Sequence, residues 1–295
     1  MRETFENRPL VACLVLPSIA LMLFALLIPL GFSVYYSMTD WAGFGDYQFV
    51  GLENYRDILL SDKVFWRSLW NTALLMLVTI FVQNPIAFAL AALLTNVSQR
   101  LSRVLRTIYF VPAVLSLVII AKMWVNIFNP NYGILNKLLR DLGLQVLAVS
   151  WLSNPNTAIW AVIFIIVWQG FGWALLFYYA GLMTVPRELQ EAARVDGAGW
   201  LQTYVRIVIP YLYPAIGAVI VIDVISSMKQ MELIFLSTAG GPGQLTQFLG
   251  VYLYQKAFAS GEYGYGNALS VLFVAIAIGL TLLVRRAMPA TRDAS

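Results

Sequence analysis

The segment Pro186-Arg187-Glu188-Leu189-Gln190-Glu191-Ala192-Ala193-Arg194-Val195-Asp196-Gly197-Ala198-Gly199-Trp200 lies between two apolar runs, Thr157 to Met183 and Ile207 to Leu236, and differs from both. It reads as a short amphipathic helix lying outside the apolar layer. Pro186 suits the first turn of a helix, where its missing N–H costs nothing, and Glu188 and Glu191 sit towards the positive N-terminal end. Gly197 suits the left-handed residue that ends a helix. Ala192 and Ala193 give the helix a flank without bulk, so a second protein could approach its backbone closely. Beyond it, Leu201 to Ile209 resumes an apolar pattern and leads to Pro210.

The rest of the chain says what surrounds this segment. Its 295 residues are 60% hydrophobic and 12% charged, with a mean hydropathy of +0.75. Soluble chains run at about 45–50% apolar and about 25% charged, so a single aqueous core cannot hide this excess and the expected solvent is lipid. Runs long enough to cross a bilayer occur at about 10–38, 68–95, 107–128, 157–183, 207–236 and 267–288. Each approaches or exceeds the roughly 20 residues needed, and in lipid each must be a helix. The expected fold is therefore all-α, a polytopic transmembrane bundle of about six spans. Residues 1–295 form one such domain, and 184–206 make the extramembrane loop.

The net charge of +4 does not point to nucleic acid, because the basic residues lie between apolar runs rather than along one face. Arg2, Arg8, Arg100, Arg103, Arg106, Arg187, Arg194, Arg285, Arg286 and Arg292 fall on one side if the spans alternate. The positive-inside rule then places both termini, and the loop with Glu191, in the cytoplasm. Trp41, Trp66, Trp70 and Trp151 fall near span ends, as an aromatic belt requires. The first run is too long for the core of a signal peptide and no small-residue cleavage site follows it, so an uncleaved span is expected. One cysteine, Cys13, excludes an intrachain disulfide and a thiolate metal cluster. The absence of histidine removes the commonest general base and metal ligand. No nucleophile–base or carboxylate-pair motif suggests a membrane enzyme.

Glu191-Ala192-Ala193, three residues, Gly197, nine residues, then Ile207-Val208-Ile209-Pro210 resembles the EAA loop of binding-protein-dependent ABC importers, with Ile209 where the pattern carries leucine. The fuller Glu191-Ala192-Ala193-x-x-Asp196-Gly197-Ala198 is similar to the form found in carbohydrate permeases, including maltose and oligosaccharide permeases. Other stretches agree over nearly the whole chain: Phe49-Val50-Gly51-Leu52-Glu53-Asn54-Tyr55, Phe128-Asn129 with Gly133 and Asn136, Trp151 to Ala158, and Thr238 to Gly243. The resemblance implies a type I importer permease fold in a prokaryotic cell membrane. It also implies a second homologous permease subunit, two copies of a cytoplasmic ATPase, an external substrate-binding protein and a carbohydrate substrate. Glu191, Ala192, Ala193, Asp196, Gly197 and Ala198 would dock into the ATPase. The chain has no G-x-x-x-x-G-K-[ST] loop, so no catalysis and no cofactor are expected in it, with ATP and magnesium held by the partner subunits.

Polar groups within spans are costly and mark a pathway or a partner helix. Asp223, Ser227 and Gln230 are spaced to share one face of a helix. Trp168-Gln169-Gly170-Phe171 sets an indole and an amide beside a glycine. Rings and amides suit a neutral sugar, which offers C–H faces and hydroxyl edges. Alignment with the resembling permeases through Trp168-x-Gly170-Phe171 and Gly241-Pro242 also falls on Gln169, Gly170, Asp223, Ser227 and Gln230. Asp223 and Lys229 could instead pair with charges on a partner subunit, and Asn84, before Pro85, reads as the relief of a kink. Two other transport functions remain open at this level. One is an ABC permease for a non-sugar solute such as a glycerol phosphate ester or a polyamine. The other is an ion-driven secondary transporter using Asp223, Lys229 and Glu232 as a relay.

Overall fold

A computed structural model describes residues 8–287; Arg2, Arg292 and Met288 at the expected end of the sixth span lie outside the described residues. Among those described, the elements are helices, and the extended pairing consists of one isolated bridge between Thr39 and Phe49. Four helices are long and apolar enough to cross a membrane, or up to six if two sharply bent pairs each count as one span.

We label the helices in chain order. Helix α1 runs through Val15–Tyr36, α2 is Glu53–Leu60 and α3 is Lys63–Thr95. Helices α4 (Gln99–Val114) and α5 (Leu117–Ile127) form one bent pair. They are followed by α6 (Ile134–Asp141), α7 (Ala158–Leu182) and α8 (Arg187–Val195). Helices α9 (Trp200–Tyr211) and α10 (Tyr213–Lys229) form the second bent pair. The last are α11 (Glu232–Ser237), α12 (Leu249–Tyr254) and α13 (Tyr263–Ala287).

Two of the expected spans are built differently. The run over 107–128 is broken at Leu115–Ser116, where α4 and α5 meet at 96°. Pro112 lies in the last turn of α4, and Leu115 leaves the helix in an extended conformation. The run over 207–236 bends by 70° at Leu212 and stops at Lys229, because Gln230 is extended and α11 starts afresh at Glu232. The second run is helical from Lys63 rather than Ser68, and the sixth from Tyr263 rather than Asn267.

Three of the prolines inside the long helices follow a recurring device. A five-residue π turn occupies Leu23–Leu27, Thr79–Gln83 and Tyr204–Val208. Each ends two residues before Pro29, Pro85 and Pro210 respectively. A proline ring clashes with the carbonyl one turn back and removes an N–H, and a widened turn takes up that mismatch without ending the helix.

The chain divides into two compact units. The first comprises residues up to Asp62 with Leu253–Ala275. Here the motif residue Asn54 donates from Nδ2 to the carbonyls of Ser37 and Thr39 at 2.8 and 2.9 Å, and Tyr55 Oη lies 2.6 Å from Ser37 Oγ. Gly264 donates to the Trp41 carbonyl at 2.8 Å, and a β-carbon at Gly264 would run into the Thr39 carbonyl. None of the 18-residue apolar window of α1 is buried.

The second unit comprises Lys63–Tyr252 and the residues from Ile276. Its centre is α7, whose buried residues occupy all sides: Val162, Ile165, Ala174, Leu175 and Tyr178 among them. One apolar cluster packs α7 with α5, α11 and Phe248; another packs it with α3 and α9. Gly172 lets α7 meet the backbone of α4, since a β-carbon there would collide with the Tyr109 carbonyl. Arg106 holds the same pair together, its guanidinium 4.0 Å above the Tyr179 ring. Asn71 fastens the loop after α11, donating to the carbonyls of Leu245 and Gln247 at 2.9 and 2.8 Å.

Candidate functional site

Helices α3, α7 and α10 enclose a cavity of about 460 Å³. All five residues expected along the substrate path, Gln169, Gly170, Asp223, Ser227 and Gln230, line it. They reach it in a different way from the one expected. Asp223 and Ser227 belong to α10, but Gln230 lies past its end and enters from extended backbone. Ser227 is buried, while Asp223 and Gln230 are half-buried. Lys229 is exposed and does not line the cavity.

The indole is also a different one. Trp168 turns away and meets Trp124 edge-on at 5.3 Å within the apolar core. Trp173 and Phe177, one and two turns after Gln169, supply the rings instead, and both are exposed towards the cavity. From α3 come Thr79 and Gln83, with Gln83 buried. The Thr79 hydroxyl donates to the Met76 carbonyl at 2.9 Å. Ser226 completes the polar lining.

Asn84 does more than relieve a kink. Its Nδ2 donates to Asp223 Oδ2 at 2.7 Å, tying α3 to α10. Its own Oδ1 is buried without a hydrogen-bond partner. Asp223 is thus engaged within its own chain, and among the described residues it is the one charged group lining the cavity. Chemically the cavity offers amides, hydroxyls, one carboxylate and two rings, a set that binds hydroxyl edges and apolar faces.

The segment Pro186 to Trp200 contains the helix expected from it. α8 starts after Pro186 with Glu188 in its first turn and Arg194 in its last, both complementary to the helix dipole. Gly197 adopts φ +79°. It donates to Arg194 O at 3.0 Å while Ala198 donates to Ala193 O at 2.9 Å, the pair of bonds that closes a helix through a left-handed residue. Glu191, Ala192 and Asp196 are exposed and Ala198 half-buried. The flank without bulk is divided, however: Ala192 faces outward, whereas Ala193 is buried by its own chain. Glu191, Gln190 and Arg194 edge a second, polar cavity of about 440 Å³ with Gln99 and Tyr204.

A helical membrane protein with a polar cavity among its spans, and an exposed amphipathic helix joining two of them, has the build of a transporter's membrane subunit. The chain belongs to the family described as the binding-protein-dependent transport system inner membrane component, whose model matches residues 83–292. It is 36% identical over 277 residues to a probable ABC transporter permease of Pyrococcus horikoshii, covering 90% of this chain and 94% of that one. It is 34% identical over 259 residues to the multiple sugar-binding transport system permease protein MsmF of Streptococcus mutans, covering 87% and 88%. The fold matches a chain of a bacterial ABC transporter involved in the import of the acidic polysaccharide alginate, with a TM-score of 0.83, 23% identity and 99% of each chain covered.

Proposed function

We propose that this chain is the permease subunit of an ABC importer for an uncharged oligosaccharide. It would form half of the translocation path beside a second, homologous permease. An external binding protein would deliver the sugar, and two copies of a separate ATPase would bind ATP and magnesium. In this reading α8 lies on the cytoplasmic side and docks in the ATPase through Glu191, Ala192, Asp196 and Gly197, with Ala193 anchoring the helix to the permease. The chain itself carries out no catalysis and holds no cofactor.

The observation that carries the proposal is the lining of the cavity between α3, α7 and α10. Gln83, Gln169, Ser227 and Gln230 offer hydrogen bonds to sugar hydroxyls, and Trp173 and Phe177 offer ring faces. The name of the MsmF relative supports a sugar. Among the described residues no cation lines the cavity, which favours a neutral sugar, because an anionic glycan would meet the Asp223 carboxylate without compensation.

The test is uptake by the assembled transporter in proteoliposomes with its own binding protein. Gln169→Ala and Ser227→Ala should each raise KM by about fivefold, from the ~1 kcal/mol of a typical hydrogen bond. Unchanged KM in both would overturn the assignment of the path. Uptake should survive collapse of the proton gradient and stop when ATP is withdrawn; the opposite result would make the chain an ion-driven transporter.

A further inference from the structure

A third cavity, of about 620 Å³, opens between the start of α10 and the last turns of α13. Ile222 borders both it and the cavity described above, and the walls of this third cavity are graded. Deeper in, apolar residues line it: Gly217, Ala218, Val221 and Ile222 on α10, with Thr281 on α13. The Thr281 hydroxyl donates to Ala277 O at 2.8 Å, which occupies its proton. At one end stand the Tyr213 ring and the Arg285 guanidinium. Arg285 is in the last turn of α13, and no carboxylate lines the groove among the described residues. Val221 lies eight positions beyond Tyr213, a drop of about 12 Å along the helix axis.

We propose that this groove is a binding site for an anionic phospholipid. The phosphate would sit at Arg285 beside Tyr213, and an acyl chain would descend past Gly217, Ala218 and Val221. Three features favour a lipid over a protein helix or a sugar. The polarity changes once along the groove, from cationic to apolar, as a phospholipid does. The cation is at a helix end, at the depth where headgroups lie. A basic pocket between spanning helices is the usual form of an anionic headgroup site. Arg286, the next residue, does not line the groove, so the site depends on position as well as charge. Tyr213 lies two residues past the end of α9, so the lipid would lie at the membrane end served by the α8 and α9 segment.

The assembled transporter is placed in nanodiscs of mixed phosphatidylcholine and phosphatidylglycerol, stripped with mild detergent, and its retained lipids are measured by mass spectrometry. Phosphatidylglycerol should be retained about fivefold over its share of the mixture, the effect of one arginine near an anionic headgroup. Arg285→Gln should bring retention down to that share, and Arg286→Gln should leave it enriched. Gly217→Leu, which fills the groove and keeps every charge, should also abolish enrichment. The site is refuted if Arg285→Gln retains the lipid or if Arg286→Gln loses it equally. It is also refuted if Ala218→Cys crosslinks to the partner permease, since protein then fills the groove.

Discussion

Asn136 shows how much a single side chain settles here. It is fully buried, donates from Nδ2 to Val149 O at 2.8 Å and accepts from the Trp151 indole at 2.8 Å. Asn136→Ala should therefore lower stability by about 1–3 kcal/mol, the cost of leaving buried polar groups unpaired. A fall in Tm of the purified protein with no change in transport KM would show it. Gly197 is a second such position, for a different reason. Nothing lies within 4 Å of where its β-carbon would be, so substitution there strains the backbone without causing a clash. Gly197→Asn, which tolerates positive φ, should keep more ATPase coupling than Gly197→Val. Equal loss in both would mean that the partner requires the missing side chain rather than the turn.

At the scale of elements, Gly172 is where α7 touches the backbone of α4. Gly172→Val should destabilise the protein by about 1–3 kcal/mol through overpacking, read as a lower Tm. How much of such packing is legible in the sequence depends on contrast. The long apolar runs, and the amphipathic helix between Pro186 and Gly197, are legible because their composition differs from their surroundings. The breaks at Leu115–Ser116 and Leu212 are only partly so: Pro112, and Pro210 with Pro214, mark kinks in these runs, but the equally apolar residues on either side hide how sharp each bend is. The orientation of α7 is illegible for a related reason. A helix that is hydrophobic all round has no face for periodicity to find, so Trp168 and Trp173 could not be told apart. Asn84 carried a signal, a buried amide in a span. Its partner Asp223 is 139 residues away, beyond the reach of any local pattern.

For the whole molecule, the distribution of charge separates what folds the chain from what connects it to others. Glu191 is exposed, and surface substitutions of this kind change stability by only about ±0.5 kcal/mol. Glu191→Lys should accordingly leave an assembled, normally melting membrane subunit. We expect the ATPase activity of the complex to lose its stimulation by the binding protein. Normal stimulation in that variant would sink the role proposed for α8. The first span poses the complementary case: its apolar window is wholly unburied, so its cover must come from lipid or another chain.

One consequence follows from the length of α3. Its 33 residues span about 50 Å, against roughly 30 Å of hydrocarbon. Near one end Asn71 grips the loop at Leu245 and Gln247. At the other, Thr95 borders the polar cavity beside α8. A continuous helix of this length joins those two ends and can carry a push between them. Its compliant joint is the π turn Thr79–Gln83, and two of those five residues, Thr79 and Gln83, face the cavity proposed for the sugar. Force that bends this helix is therefore delivered at the place where cargo would be held or released.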